Sequence, residues 1–329
     1  MDAKNKAQRA ELIQSLNQTA SQELKQVEAQ QFDNFINNAM HFYPDAAYLA
    51  RSAEHIFWSL WGLCRFSTEA ASRATKIRVF NPKQQLDGWG SAYTTIYINQ
   101  RDMPFLVDSL RIVLNRRGLN IFTLQSNPVW TVRKADGAVT SIHSDYVSGA
   151  EREAFMTIEV DIHADSELVD LREELLVVLD DVEVAVDAFD VMRQRVESLI
   201  AELQACAPKV EQLEESLEFL RWIHKGYFTF TGCVDFDMDK VGDNMSLSEV
   251  PNSRHGLLKK YSGDRRQGIA EELSPGVRAL YESDELITIT KSSQRSRVHR
   301  DVYSDYVVVK RFDSEGRVRG EVRFMGLYT

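Results

Sequence analysis

The stretch that decides the fold is Ser91–Arg133, SAYTTIYINQRDMPFLVDSLRIVLNRRGLNIFTLQSNPVWTVR. It opens with Ala92–Ile98, a run of β-branched and aromatic side chains that is typical of a strand. After Pro104 the apolar residues recur at helical spacing, and Gly118 suits the left-handed position past a helix end. Asp102 is predicted to cap this helix, because its carboxylate can accept hydrogen bonds from free backbone N–H groups. The stretch therefore predicts strand, helix and strand in succession, with a loop over Asn99–Pro104 ahead of the helix.

Further patterns extend this opening into a βαββαβ module of the ferredoxin-like kind over residues 76–190. Lys134-Ala135-Asp136-Gly137 predicts a hairpin turn, and residues 156–163 alternate apolar and polar side chains like a strand with one buried face. Leucines over residues 168–179 recur every three or four positions, which predicts the second helix. Alternating valines over residues 182–186 predict the last strand.

The rest of the chain predicts three more segments, and the whole fold is expected to be α+β. Residues 1–75 predict a helical N-terminal segment, and residues 191–225 predict a helical connector broken at Pro208. Residues 226–329 predict a second α+β domain with an antiparallel sheet. In that domain we expect strands over residues 227–236, 286–290, 303–312 and 318–328. A polar loop over residues 237–253 is expected after the first of these strands.

Composition limits the classes of partner. The 329 residues carry 39 basic and 49 acidic side chains, a net charge of −10, which argues against nucleic acid and anionic membranes as partners. The three cysteines lie far apart without CxxC spacing, which is typical of reduced thiols. There is no apolar run long enough for a membrane span and no signal peptide at the N-terminus. We therefore expect a cytoplasmic protein.

Three ordered blocks of sequence resemble the N-terminal region of the large bacterial NAD-dependent glutamate dehydrogenases. The first is Asp102–Ser109 followed by Leu114–Leu119, and the second is Phe219–Trp222 followed by Phe228–Gly232. The third runs from Thr290 to Thr329. The order and spacing of the blocks make the resemblance more specific than any single motif.

The resemblance implies ACT-type regulatory modules ahead of a distant catalytic domain. The parent reaction it implies converts L-glutamate, NAD and water into 2-oxoglutarate, ammonia and NADH. Its implied partners are the catalytic domain downstream, a second copy of the chain in a homo-oligomer, and an amino acid as effector. We expect no catalytic residue, no metal site and no cofactor in this chain, with NAD bound in the catalytic region. The sequence accordingly contains no GxGxxG, P-loop, HExxH or GxSxG motif.

The loop between the first strand and helix is the candidate effector site. In ACT domains this loop contacts an amino acid, and free N–H groups at a helix start attract a carboxylate. The candidate residues here are Asn99, Arg101, Asp102 and Met103. The family pattern has glycine where this chain has Phe105, whose side chain can fill the pocket. The alternative for this loop is a helix start that only packs. For the whole chain, two other functions stay open: a scaffold that binds no ligand, and a freestanding amino-acid sensor.

Two charged features have competing interpretations. Five basic side chains within ten residues could bind phosphate or nucleic acid, or could pair with acidic groups of the same protein, which the net charge favours; they are Lys291, Arg295, Arg297, His299 and Arg300. Asp180-Asp181 and Glu271-Glu272 are adjacent in sequence, so their side chains point in different directions. We expect both pairs to be surface charge.

Overall fold

A computed structural model describes residues 3–39, 51–69, 75–206, 212–241, 244–261, 271–272 and 275–329. The chain divides into two compact units, Met1–Leu179 and Asp180–Thr329. Helices and an antiparallel sheet occur in each unit. The α+β prediction is therefore confirmed, whereas the predicted boundaries at residues 75, 190 and 225 stay predictions.

The first unit contains a five-stranded antiparallel sheet in the order β1-β2-β5-β3-β4. Its strands are β1 (Lys76–Phe80), β2 (Tyr93–Arg101), β3 (Ile121–Arg133), β4 (Val139–His143) and β5 (Glu151–Asp161). Its helices are α1 (Ala3–Glu23), α2 (Gln26–Ala39), α3 (Ala53–Thr68), α4 (Gln84–Asp87), α5 (Leu106–Arg116) and α6 (Leu168–Asp187), the last of which continues into the second unit.

Strand β2 is buried on both faces, since every residue from Thr94 to Gln100 is buried and successive side chains point to opposite sides. One face packs against the N-terminal helices. There Tyr97 of β2 and Phe155 of β5 belong to one apolar core with residues of α1, α2 and α3, among them Leu16, Phe32, Phe35, Phe57, Leu60 and Trp61. The helices predicted for residues 1–75 therefore supply half of the covering that the sheet needs.

The opposite face carries the alternate residues of the same strands, including Ile96, Ile98, Ile158 and Val160, which are all buried. Helices α5 and α6 each have a buried apolar row, Leu106, Leu110, Val113 and Leu114 on α5, and Leu171, Leu175 and Val178 on α6. Arg172 Nε donates to the Ile77 carbonyl oxygen at 3.3 Å, which ties α6 to β1. The sheet is therefore a layer between two layers of helices.

The predicted last strand over residues 182–186 is wrong, because these residues lie in α6. Val182 and Ala185 continue the buried row of that helix at spacings of three and four. Alternating valines fit both a strand and one side of a helix, and residues 168–187 contain no glycine or proline that would end the helix. The position beside β2 is taken by β1, which precedes it in sequence and pairs with it antiparallel.

The second unit contains a seven-stranded antiparallel sheet. Its strands are β6 (Phe228–Val241), β7 (Asn244–Glu249), β8 (His255–Gly256), β9 (Glu271–Glu272), β10 (Ile287–Arg295), β11 (Tyr303–Phe312) and β12 (Val318–Tyr328). Six of them follow the order β10-β11-β12-β6-β7-β9, and β8 also pairs with β6. The helices are α7 (Phe189–Cys206), α8 (Leu213–Trp222), a π-helical turn (Ile223–Tyr227), α9 (Leu257–Lys260) and α10 (Pro275–Glu282).

Helices α7 and α8, predicted as a connector, share a core with this sheet. Met192, Val196 and Leu199 of α7 are fully buried with strand residues such as Val307 and Phe324. These helices therefore cover one face of the sheet. The predicted helix break at Pro208 lies outside the described residues.

The polar loop predicted over residues 237–253 is wrong over residues 237–241 and 244–249, which lie in strands. Strand β6 continues to Val241, and β7 returns beside it with Met238 opposite Leu247. Met245 and Leu247 then bury against Tyr281 of α10. A hairpin with only a few apolar residues among many polar ones gives a weak sequence signal, because one face of it stays in solvent.

No helix in the described parts of the chain combines the length and the apolar character that crossing a bilayer requires.

The side chain of Asn34 on α2 pairs with the edge strand β4. Its Nδ2 donates to the Ile142 carbonyl oxygen at 3.3 Å, and its Oδ1 accepts from the Ile142 N–H at 3.0 Å. We expect Asn34→Ala to lower the free energy of unfolding by about 1–3 kcal/mol, because two backbone groups lose their partner. Urea unfolding measures this.

Asn37→Ala is the matched control, since within the described residues the Asn37 amide bonds to its own helix, to the Asp33 carbonyl oxygen at 2.9 Å and to the Asp33 carboxylate at 2.8 Å. We expect this variant to change the free energy by less than about 0.5 kcal/mol. Equal losses for the two variants would contradict the role given to Asn34.

Candidate functional site

The loop predicted over Asn99–Pro104 is shorter in the structure. Strand β2 runs through Arg101, which lies opposite Glu153 of β5. The Asp102 N–H then donates to the Arg152 carbonyl oxygen at 2.9 Å. The pairing therefore continues almost to the turn, and only residues 103–105 leave the sheet ahead of α5.

Asn99 lies inside the fold rather than in an open loop. Its exposed fraction is 4%. Its Nδ2 donates to Glu153 Oε2 at 2.7 Å, and its Oδ1 accepts from the Arg133 guanidinium at 3.1 Å. Both ends of the amide are thus engaged by side chains of neighbouring strands, which hold Asn99 within the sheet.

Glu153 is the centre of this buried polar network. Arg133 donates two hydrogen bonds to its carboxylate at 2.6 Å each, and Thr131 Oγ1 donates a third at 2.6 Å. Burial alone would raise the pKa of Glu153, but the hydrogen bonds from Arg133, Thr131 and Asn99 outweigh burial and hold the pKa below its ordinary value. A buried charge pair is tolerated when its remaining hydrogen-bonding positions are filled, as they are here.

The prediction that Asp102 caps α5 is wrong. Helix α5 begins at Leu106, and the residue before it, Phe105, makes no side-chain cap. The Asp102 carboxylate instead lies 3.0 Å from Arg152 Nε. Burial raises the pKa of Asp102, and the Arg152 charge opposes that rise. Asp102 is still paired with the sheet at this point, so the turn separates it from the first helical N–H groups.

Phe105 takes a left-handed backbone conformation, with φ 71° and ψ 0°. This is the position at which the family pattern has glycine, the residue that adopts positive φ without steric strain. A side chain in this conformation costs about 1–2 kcal/mol. The turn therefore keeps the shape that a glycine would give it, although the residue is bulky.

The structure brings only part of the predicted site together. Arg101 reaches Met103, whose Sδ is 4.0 Å from the guanidinium, and Met103 is 8% exposed. Asp102 turns to Arg152, and Asn99 joins the network of Glu153. Binding of an effector by this loop stays a prediction. The burial of Asn99 could not be predicted locally, because its partner Glu153 lies 54 residues away.

Members of the basic run in the second unit are paired with acidic groups. Lys291 Nζ lies 2.6 Å from Asp305, and Arg295 Nε lies 2.9 Å from Asp301. Arg297 Nε lies 3.4 Å from Asp181. This is the arrangement that the acidic charge balance of the chain favours.

The prediction that Asp180 and Asp181 are both surface charge is wrong for Asp181, which is 1% exposed. Its carboxylate accepts from Lys260 Nζ at 2.6 Å and from the Tyr261 hydroxyl. Burial alone would lower the pKa of Lys260, but Asp180 and Asp181 raise it above its ordinary value. Adjacent residues of a helix face different directions, and Asp181 lies next to the buried row of α6, which a helical projection could have shown.

The described residues contain no cluster of three His, Cys, Asp or Glu side chains that could hold a metal ion. The free thiols of Cys64 and Cys233 are buried. Burial raises the pKa of Cys233 to about 12 and also raises that of Cys64. Both groups are thus protonated at neutral pH and do not act as nucleophiles.

Residues 35–175 match the family model described as the glutamate dehydrogenase ACT1 domain. The predicted resemblance is confirmed. The chain is 31% identical over 327 residues to the NAD-specific glutamate dehydrogenase of Halomonas elongata, covering 98% of this chain and 20% of that protein. It is 35% identical over 263 residues to the NAD-specific glutamate dehydrogenase of Pseudomonas aeruginosa, covering 77% of this chain and 16% of that protein. The chain thus spans a fifth or less of these glutamate dehydrogenases.

Among solved structures, an RNA-binding light-oxygen-voltage receptor matches with a TM-score of 0.16 and 10% identity, over 89% of this chain and 85% of that chain. A score this low carries no argument about fold or function.

Because Phe105 has a left-handed backbone, glycine should be more stable than alanine at this position, the reverse of the usual order in a helix. We expect Phe105→Gly to be more stable than Phe105→Ala by about 1–2 kcal/mol, because both variants lose the ring but only glycine relieves the left-handed conformation. Chemical denaturation of the two variants measures the difference. As a control, Asp108→Gly in the exposed first turn of α5 should be less stable than Asp108→Ala by about 1 kcal/mol. The same order at both positions would contradict strain at Phe105.

Replacing Asp180 or Asp181 by alanine should change the free energy of unfolding by different amounts. Asp181→Ala should lower the free energy of unfolding by about 1–3 kcal/mol, because Lys260 and the Tyr261 hydroxyl lose their buried hydrogen-bond acceptor. Asp180, whose side chain is 59% exposed, should tolerate alanine with a loss below about 1 kcal/mol. Urea unfolding of both variants tests the assignment, and similar losses would show that Asp181 is not the buried partner.

Proposed function

We propose that this chain is the N-terminal regulatory and assembly region of a large NAD-dependent glutamate dehydrogenase. The parent enzyme converts L-glutamate, NAD and water into 2-oxoglutarate, ammonia and NADH, in the cytoplasm. The observation that carries the proposal is the match of 98% of this chain to only 20% of an NAD-specific glutamate dehydrogenase. A dinucleotide-binding fingerprint is absent from this sequence. NAD and the reacting residues accordingly belong to the remaining, larger part of the parent protein.

Within this region, we assign an ACT-type module to residues 35–175, the residues that match the ACT1 family model. Strands β2, β3 and β5 with helices α5 and α6 supply five of the six elements of a βαββαβ unit, and β1 supplies the edge strand beside β2. The N-terminal helices then act as part of the module, because they complete its core. A regulatory role requires that an effector binds the active and inactive states of the enzyme with different affinity.

Assembly is the second part of the proposed role. The partners are the catalytic domain of the same chain and a second copy in a homo-oligomer. A scaffold that binds no effector at the loop is favoured by two observations. Asn99 is closed off inside the network of Glu153, and Asp102 is held by Arg152.

The proposal is tested by the mass and activity of the native protein. An antibody raised to this chain is used to blot and to immunoprecipitate the protein from source cells. We expect a band several times larger than 37.6 kDa, the mass of this chain. The precipitate should form NADH from L-glutamate and NAD.

A band near 37.6 kDa, or a large protein without glutamate-dependent NADH formation, would contradict the proposal. The first of these results would favour a freestanding amino-acid sensor. NADPH formation in place of NADH is the specificity control, and it should be much slower than NADH formation.

A further inference from the structure

A cavity of about 310 Å³ lies on the seven-stranded sheet of the second unit. Its sheet residues, such as Val308 and Arg323, alternate with residues that pack against α7 and α8, so the cavity is on the opposite face. Most of its exposed wall area is apolar and comes from residues such as Phe236, Leu280 and Val308, while Arg254, Thr288, Thr290 and Tyr306 are among the polar side chains that also line it. The volume is at the lower end of that of small-molecule sites, and apolar walls with a few polar groups are typical of them.

Lys310 brings a buried positive charge to this cavity, since its exposed fraction is 6%. Its Nζ donates to the carbonyl oxygens of Ser283 at 2.6 Å and Tyr281 at 3.4 Å, at the end of α10. Burial lowers the pKa of Lys310, and the exposed Asp284 and Glu285 oppose that effect from outside ion-pair distance. In the described part of the chain, no carboxylate comes within 4 Å of this ammonium group.

The other charged groups that line the cavity have partners of their own. Glu321, which is 3% exposed, accepts hydrogen bonds from the Tyr281 hydroxyl and from Arg323 Nε. Arg254 Nε lies 2.7 Å from Glu249. Lys310 and Glu321 are opposite each other on β11 and β12 but form no ion pair. Among these lining cations, Lys310 is therefore the one whose direct contacts in the described part of the chain are carbonyl oxygens and no carboxylate.

We propose that this cavity binds a small organic carboxylate with an apolar body. The carboxylate pairs with Lys310 Nζ, and the body packs against Phe236, Leu280 and Val308. Burying an ammonium group without a counter-ion is unfavourable, and a ligand carboxylate would remove that penalty. Inorganic phosphate fits less well, because Arg254 and Arg323 are already paired with Glu249 and Glu321 and most of the exposed wall area is apolar. This assignment goes beyond the proposed regulatory function, because the cavity would bind the carboxylate whether or not that binding changes the activity of the parent enzyme.

Aliphatic amino acids and their 2-oxo acids share the required chemistry, so both are used as probes. Calorimetric titration of the whole chain compares L-leucine, 4-methyl-2-oxopentanoate and L-leucinamide, which lacks the carboxylate. We expect at least one of the two carboxylates to bind at millimolar concentration or below, and leucinamide to bind at least tenfold more weakly than that carboxylate.

Two variants locate the binding. Lys310→Met should weaken it at least tenfold by removing the charge, and Val308→Phe should weaken it as much by filling the cavity while Lys310 stays in place. Lys225→Met, at an exposed lysine of the same unit, is the control and should bind like the original chain. If Lys310→Met does not fold, Val308→Phe decides the question.

Three results would overturn the assignment: no binding of either carboxylate, equal binding of leucinamide, or unchanged affinity in Val308→Phe. None of these depends on the mass or activity of the parent protein. The failure of this inference is therefore distinguishable from the failure of the proposed function.

Discussion

Burial of strand β2 on both faces is the constraint on which the first unit depends. Every residue from Thr94 to Gln100 is buried, and such a strand needs an apolar layer on each side. Helices α1–α3 supply one layer through the core around Phe35, Tyr97 and Phe155. The buried rows of α5 and α6 supply the other. The ion pair between Arg133 of β3 and Glu153 of β5 links these strands at the end of the sheet where the candidate loop begins.

The sequence predicted the fold class and most elements because local pattern and final structure agree there. The strands Tyr303–Phe312 and Val318–Tyr328 were predicted nearly to the residue. The last strand of the module failed because its valines fit two periodicities, and a helix without a stop signal continued through them. The glycine of the family pattern indicated an unusual residue at position 105, but the left-handed conformation of Phe105 is visible only in the structure.

The candidate site was less predictable than the fold, since its residues are defined by distant partners. Asn99 is buried because Glu153 and Arg133 approach it from neighbouring strands, and Asp181 is buried because Lys260, Tyr261 and Arg297 gather around it. A single sequence does not show such contacts. The carbonyl contacts of Lys310 were likewise not predictable, because they depend on a segment 27 to 29 residues away that approaches its Nζ.

Native-state hydrogen exchange tests the central claim, that the N-terminal helices and the sheet of the first unit form one core. If they do, the amides of α2 and those of β2 from Ile96 to Asn99 exchange through the same cooperative opening, with equal free energies of opening. Phe35→Ala would then lower both values together. The account is contradicted if α2 opens with a free energy several kcal/mol below that of β2, because the helices would then be an accessory layer.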